Sequence, residues 1–219
     1  MSFNNRMNKN PGGVTILPGL IVVEGIDGAG TTTQSRLLVE RLRAVGSPVF
    51  DTSEPTQNPI GQLLRDVLAG RVRVTPEAVA YLFAADRWEH VFGEGGIVQH
   101  HDAGEIVVCD RYAYSSLAYQ TVECEPGLVV QLNQHFPTPG LVIFLDLAPD
   151  IGERRLAART HREIYEQAPI QAKVRENYHR LLEAADRTTT VVTLSGADDE
   201  AAIHRKIWEA VESASILEP

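Results

Sequence analysis

An apolar run at residues 20–24 (LIVVE) leads straight into Gly25, Ile26, Asp27, Gly28, Ala29, Gly30, Thr31 and Thr32, and Thr33 then opens a segment of helical spacing. A strand, a glycine-rich loop and a helix in this order make a phosphate cradle. The glycines permit positive φ and close backbone approach. The loop amides and the helix N-terminus offer positive partial charge to an anion. The pattern is the P-loop, G-x-x-x-x-G-K-[ST], with one departure: Thr31 stands where Lys is expected. Thr32 is placed to offer its hydroxyl to Mg²⁺. Without the Lys, this loop alone reads equally well as a glycine-rich turn before an ordinary helix.

Three further groups could carry chemistry. Residues 105–110 (EIVVCD) end in Asp110, and Arg111 follows. An Asp at a buried strand end can hold Mg²⁺ through water, and the planar fork of Arg111 can clamp a phosphate. Phe83 and Arg87 lie four apart in a helical stretch and share a face, which suits stacking on a base and hydrogen bonding to it. Taken alone, they read first as a core aromatic and a surface guanidinium. Arg154, Arg155, Arg159 and Arg162 crowd the segment after the fourth apolar run. They form either a solvated basic face or a lid that brings positive charge to a transferring phosphoryl group.

The elements that must position these groups follow from periodicity. Five short apolar runs, at residues 20–24, 48–53, 105–110, 141–146 and 190–195, are rich in β-branched residues. Such runs suit strands covered on both faces. Helical spacing lies between them at residues 33–45, 172–185 and 201–214, with Leu37, Leu38, Leu42 and Val45 expected on one side of the first helix. Alternating strands and helices imply βαβ units and a sheet layered between helices. Several runs end in a polar residue (Glu24, Ser53, Asp110, Asp146), and ligands of open α/β sheets bind beyond the carboxyl ends of the strands.

Composition narrows the classes. The 219 residues carry a formal net charge of −9, which disfavours duplex nucleic acid or an anionic membrane as the main partner. No stretch approaches the ~18 apolar residues of a spanning helix, and the polar start lacks a signal peptide's apolar centre. A cytoplasmic protein is expected, with Cys109 and Cys124 as reduced thiols. Adjacent His100 and His101 lack a matching ligand set for a metal. Residues 1–18 are expected to form a flexible tail, and residues 19–219 a single domain with a lid segment near 152–168.

Taken together, VEGIDGAGTTTQ (23–34), SEPT (53–56), PIGQLLR (59–65), LFAADR (82–87), DRYAYSSLAYQ (110–120) and FLDLAP (144–149) resemble the thymidylate kinases in order and spacing. The resemblance covers about residues 20–194. It implies an α/β fold with a five-stranded parallel sheet flanked by helices on both faces, often in a homodimer. It also implies ATP and Mg²⁺ as phosphoryl donor and metal, and dTMP as acceptor. Asp27 would meet the sugar 3′-hydroxyl, Glu54 would stand on the acceptor side, and Arg65 and Arg111 would hold the acceptor phosphate. Phe83 would stack on thymine and Arg87 would reach its carbonyl edge. Ser115, Ser116 and Tyr119 would complete the pocket, with Tyr119 as a wall against a ribose 2′-hydroxyl. With no Arg or Lys in the P-loop, the lid would supply the missing cation, Arg159 first and Arg155 second. Ser53 departs from the Arg that many relatives carry before Glu-Pro. Two other readings stay open: a kinase for another nucleotide or a nucleoside, and a nucleotide-binding protein of little catalytic power.

Overall fold

The computed structural model describes residues 15–157, 164–185 and 189–217, together with the backbone of Asn8 and Lys9. Five parallel strands form the sheet: β2 (Thr15–Gly25), β3 (Val49–Ser53), β4 (Ile106–Asp110), β5 (Thr138–Asp146) and β6 (Thr190–Ser195). Their order is β3-β4-β2-β5-β6, and β1 (Asn8–Lys9) pairs antiparallel with the start of β2. The helices are α1 (Thr31–Ala44), α2 (Pro59–Leu68), α3 (Pro76–Phe92), α4 (Ile97–Asp102), α5 (Ala113–Gln120), α6 (Pro126–Asn133), α7 (Pro149–Leu156), α8 (Ala168–Glu183) and α9 (Glu200–Ser213).

Burial on both faces explains why the strands read as continuous apolar runs. Ile21, Val23, Leu141 and Ile143 pack with Leu38, Val39 and Leu42 of α1 and with Ile207, Trp208 and Val211 of α9. The alternate residues Leu20, Val22, Val107, Cys109 and Val142 pack with Val91 of α3 and Ile97 of α4. The sheet is thus the middle of three layers. From β2 the chain passes to β3 and β4 on one side, then to β5 and β6 on the other. The C-terminal end of β2 therefore lies at the reversal of strand order, where α/β sheets bind ligands.

Several boundaries differ from the sequence expectation. The first parallel strand begins at Thr15, so residues 15–18 belong to the sheet rather than to a tail, and Leu17 is buried. Pro18 and Gly19 sit at a register shift between Leu17 and Ile21. Gly140 faces Pro18 across that irregularity with no room for a side chain, which lets β2 and β5 pair on either side of it. In α1 the buried face is Gln34, Ser35, Leu38, Val39 and Leu42, and Val45 is exposed at the C-cap. The stretch at 82–87 is the middle of the 17-residue α3. α8 starts at Ala168 rather than 172, because Pro169 is tolerated in a first helical turn, where its N–H would have no partner.

Candidate active site

The loop after β2 turns through Gly28 (φ 82°) and Gly30 (φ 99°), a left-handed backbone open to glycine. Gly28 also meets α7 closely: a Cβ on Gly28 would lie 2.9 Å from the Cα of Gly152, and one on Gly152 would lie 2.6 Å from the Asp27 carbonyl oxygen. Two glycines thus let the α7 backbone rest directly on the phosphate loop. Gly152 was not singled out in the sequence. Its only signal is its position one turn into a helix, where glycine costs stability unless something needs the space.

Thr32 Oγ1 donates to Asp110 Oδ2 at 2.6 Å across the β2–β4 end. The other oxygen, Asp110 Oδ1, is buried with no hydrogen-bond partner among the described residues. A hydroxyl and a carboxylate with a bare oxygen fit Mg²⁺, which takes few protein oxygens and keeps water and phosphate oxygens around it. Among the described residues no cluster of three His, Cys, Asp or Glu forms a metal cage, and His100 instead pairs with Glu105. Thr31 is buried beside the loop.

Arg111 sits at φ 69°, a backbone conformation that non-glycine residues rarely adopt. Its N–H is bonded to the Val23 carbonyl at 3.0 Å. Its guanidinium donates to the Gly25 carbonyl (2.9 Å) and to Asp27 Oδ1 (2.7 Å), and lies over the Tyr119 ring at 5.3 Å. Ser115 Oγ and Tyr119 OH are each 3.4 Å from Nη1. The strained conformation turns the fork back over the phosphate loop. Asp27 is closed from the other side by Gln171 of α8, whose Nε2 donates to Oδ2 at 2.7 Å.

Below Arg111 lies Glu24, fully buried. Its carboxylate accepts from the Tyr112 and Ser115 amides (2.9 and 3.3 Å), Ser115 Oγ (2.6 Å) and Tyr178 OH (2.9 Å). It thereby caps α5 from a neighbouring strand, since Tyr112 at the N-cap contributes no side-chain cap. Burial raises its carboxyl from 4.5 to about 7, against the opposing effects of the Ser115 hydrogen bond and the Arg111 charge. Burial also pushes the Tyr119 hydroxyl up, so it stays protonated.

The far side of the cavity is a closed polar network. Glu54, which follows β3 and precedes a cis Pro55, accepts from Arg87 Nε (2.8 Å) and Nη2 (2.6 Å) and pairs with His90 Nδ1 (2.9 Å). Arg87 Nη2 also donates to Ser116 Oγ (2.9 Å), and Nη1 donates to Asn133 Oδ1. Burial alone would raise Glu54, but the Arg87 charge and the His90 and Arg87 hydrogen bonds hold its carboxyl below the ordinary range. Arg87 is 1% exposed, so it is not a surface guanidinium. Four of its five N–H groups are taken among the described residues, leaving one on Nη1 for a ligand.

The loop from Asp27 to Thr33 and Glu54, Arg87, Asp110, Arg111, Ser115, Ser116 and Tyr119 line one cavity of about 780 Å³, together with Phe83, Arg65 and Arg155. Arg65 donates to the Pro55 carbonyl, while its buried Nε has no partner among the described residues. Arg155 is exposed and donates to the Gly28 carbonyl at 3.0 Å. Arg154 points elsewhere, into an exposed pair with Asp150. Arg159 and Arg162 lie outside the described residues. The sequence reading missed Gln120 as well: it is buried in the cavity wall, its Nε2 is held on Ser116 Oγ (3.2 Å), and its Oε1 has no partner among the described residues.

The comparisons agree with this geometry. Residues 23–207 match the family model described as thymidylate kinase. The chain is 38% identical over 198 residues to a putative thymidylate kinase of Treponema pallidum, covering 89% of this chain and 95% of that one. It is 40% identical over 199 residues to a probable thymidylate kinase of Pyrococcus horikoshii (88% and 95% covered). It is 41% identical over 202 residues to one of Thermococcus onnurineus (88% and 96% covered). A parallel sheet with a phosphate loop at its topological reversal, and a family match across most of the length, lead to one conclusion: this chain belongs to the thymidylate kinase family.

Proposed function

We propose that this protein transfers the γ-phosphoryl group of ATP to dTMP, giving ADP and dTDP. The observation that carries the reading is the meeting, in one cavity, of a phosphate loop and a closed acceptor pocket, with Arg111 at their junction. The acceptor phosphate is already an anion, so no strong base is required. Positioning and charge neutralisation do the work. The loop of Gly25, Ile26, Gly28, Ala29 and Gly30, with Thr31, Thr32 and Thr33, forms the donor-phosphate cradle. Thr32 and Asp110 would hold Mg²⁺, which supplies positive charge to the donor phosphates.

Arg111 and Arg65 align the acceptor phosphate, the latter through its bare Nε. Asp27 takes the sugar 3′-hydroxyl and Tyr119 closes the 2′ side. Phe83 flanks the base, the network of Glu54, Arg87 and Ser116 fixes the pocket, and Ser115, held on Glu24, completes it beside Arg111. The remaining N–H of Arg87 suits a base carbonyl. The bare Oε1 of Gln120 suits a base N–H donor, which thymine has at N3 and cytosine lacks. Arg155 and Arg159 supply the cation that the loop lacks. Tyr81 and Trp88, both more than half exposed and seven apart on one face of α3, suit the docking of a second copy in a cytoplasmic homodimer. No helix among the described residues is long and apolar enough to cross a membrane.

The test is product formation from ATP and Mg²⁺ with dTMP, dUMP, UMP, CMP or thymidine. Strong dTDP formation, with CMP and thymidine inert, is the expected result. ATP and dTMP binding without turnover would overturn the kinase reading and make Thr31 the decisive residue.

A further inference from the structure

Gln171 of α8 hydrogen-bonds to the phosphate loop, 144 positions away in the chain. It is 4% exposed, and both ends of its amide are in use. Nε2 donates to Asp27 Oδ2 (2.7 Å) and to the Tyr165 carbonyl (2.8 Å). Oε1 accepts from the Asp27 amide (3.1 Å) and lies 3.5 Å from Tyr119 OH. The partners fix the orientation of the amide, because an N–H can only donate and a carbonyl can only accept. A carboxylate in its place would face Asp27 with like charge, and an apolar side chain would leave the Asp27 amide and one carboxylate oxygen unpaired.

The consequences extend to Arg111. Asp27 offers Oδ1 to Arg111 and Oδ2 to Gln171, so its carboxylate is held from two sides. The anchor of Gln171 is the carbonyl of Tyr165, in the segment that leads into α8, and the Tyr165 ring packs edge-on against Tyr119 at 5.8 Å. Seating of residues 165–171 and the aim of Asp27 are therefore one arrangement. We propose that Gln171 is a positioning residue for phosphoryl transfer, acting through Asp27 to hold Arg111 and the acceptor in line. This role rests on the kinase reading above.

The test is a double-mutant cycle, read as kcat/KM for dTMP with KM for ATP measured alongside. Gln171→Met is expected to lower kcat/KM about 10- to 100-fold, the scale of a small misplacement of reacting groups. In an Asp27→Asn background the same change should cost less than about threefold, because the group it acts through is already lost. Equal factors in both backgrounds would overturn the role. A wild-type chain that makes no dTDP would overturn the kinase reading and the role with it. Should the Met variant not fold, Gln171→Glu carries the test through its pH profile. A carboxylic acid can donate one O–H to Asp27 only while protonated, and the neighbouring carboxylate raises its pKa. Its activity relative to wild type should recover as pH falls, and a ratio flat from pH 5 to 8 would overturn the proposal.

Discussion

The two ends of the cavity are built by different means. On the acceptor side Glu54, Arg87, His90, Asn133, Ser116 and Gln120 are each 6% exposed or less, and hydrogen bonds join them into one network. On the proposed donor side the cradle is backbone, and among the described residues Arg155 brings an exposed guanidinium to it through the Gly28 carbonyl. The difference teaches where stability and catalysis are coupled. The acceptor pocket is part of the core, so changes there alter folding and recognition together. The donor side adds charge from the surface, so changes there should alter rate alone.

The largest effect expected is at the centre of the buried network. Glu54→Ala removes the carboxylate that neutralises a guanidinium 1% exposed to solvent. Breaking a buried pair from one side costs about 3–5 kcal/mol. For a chain of this size that lowers Tm by roughly 10 °C, and dTMP turnover falls with it. A thermal melt that moves by only a degree or two would show that the network is not the stable half of the cavity.

The donor side should respond in the opposite way. Arg155→Ala, and equally Arg159→Ala, is expected to lower kcat about 10²–10³-fold, the cost of losing one charge-stabilising donor. KM for dTMP and Tm should stay close to wild type, since Arg155 is exposed and, among the described residues, its bond is to the Gly28 carbonyl. Thr31→Ala, which removes no charge, should cost no more than the factor of about ten set by one neutral hydrogen bond. Comparable losses at Thr31 and at both arginines would remove the lid cation from the account. A fall in Tm with Arg155→Ala would erase the contrast between the two sides.

The same contrast shows in what the sequence made legible. Residues 20–24, 105–110 and 141–146 announce strands because burial on both faces demands continuous apolar runs, and their polar ends mark the ligand side. Gly25 to Thr32 is legible because phosphate contact by backbone requires glycines at fixed spacing. Most of the hydrogen bonding around the cavity is not legible, because its bonds join residues far apart. Tyr178 reaches Glu24 across 154 positions and Gln171 reaches Asp27 across 144, and no local pattern records either. Phe83 and Arg87 do share a face of one helix, as their spacing predicts. Only the fold brings Glu54 within 2.6 Å of Arg87, and that contact turns an expected surface guanidinium into a core one. Residues 15–18 escaped for a local reason: proline and glycine signal the end of an element, whereas here they sit in a strand irregularity that Gly140 accommodates.

Glu24 lies where the two sides join, and its titration gives the finest test. Its carboxyl is raised from 4.5 to about 7, chiefly by burial. The folded state therefore binds a proton more tightly than the unfolded state, and protonated Glu24 favours folding. That contribution is fully present below about pH 4.5 and is lost as pH rises to about 7. At 1.36 kcal/mol per unit the loss amounts to about 3 kcal/mol. Glu54 and Asp146, whose carboxyls are held low, work in the opposite direction but below that window. Subtracting a Glu24→Gln variant from wild type isolates the one group: the wild-type melt should fall relative to the variant between pH 5 and pH 7.5 and run parallel above. Curves that stay parallel throughout would mean that the four donors around the carboxylate hold it ionised. In that case Glu24 would be a fixed anion beneath Arg111, and the join between the two sides would carry no proton at all.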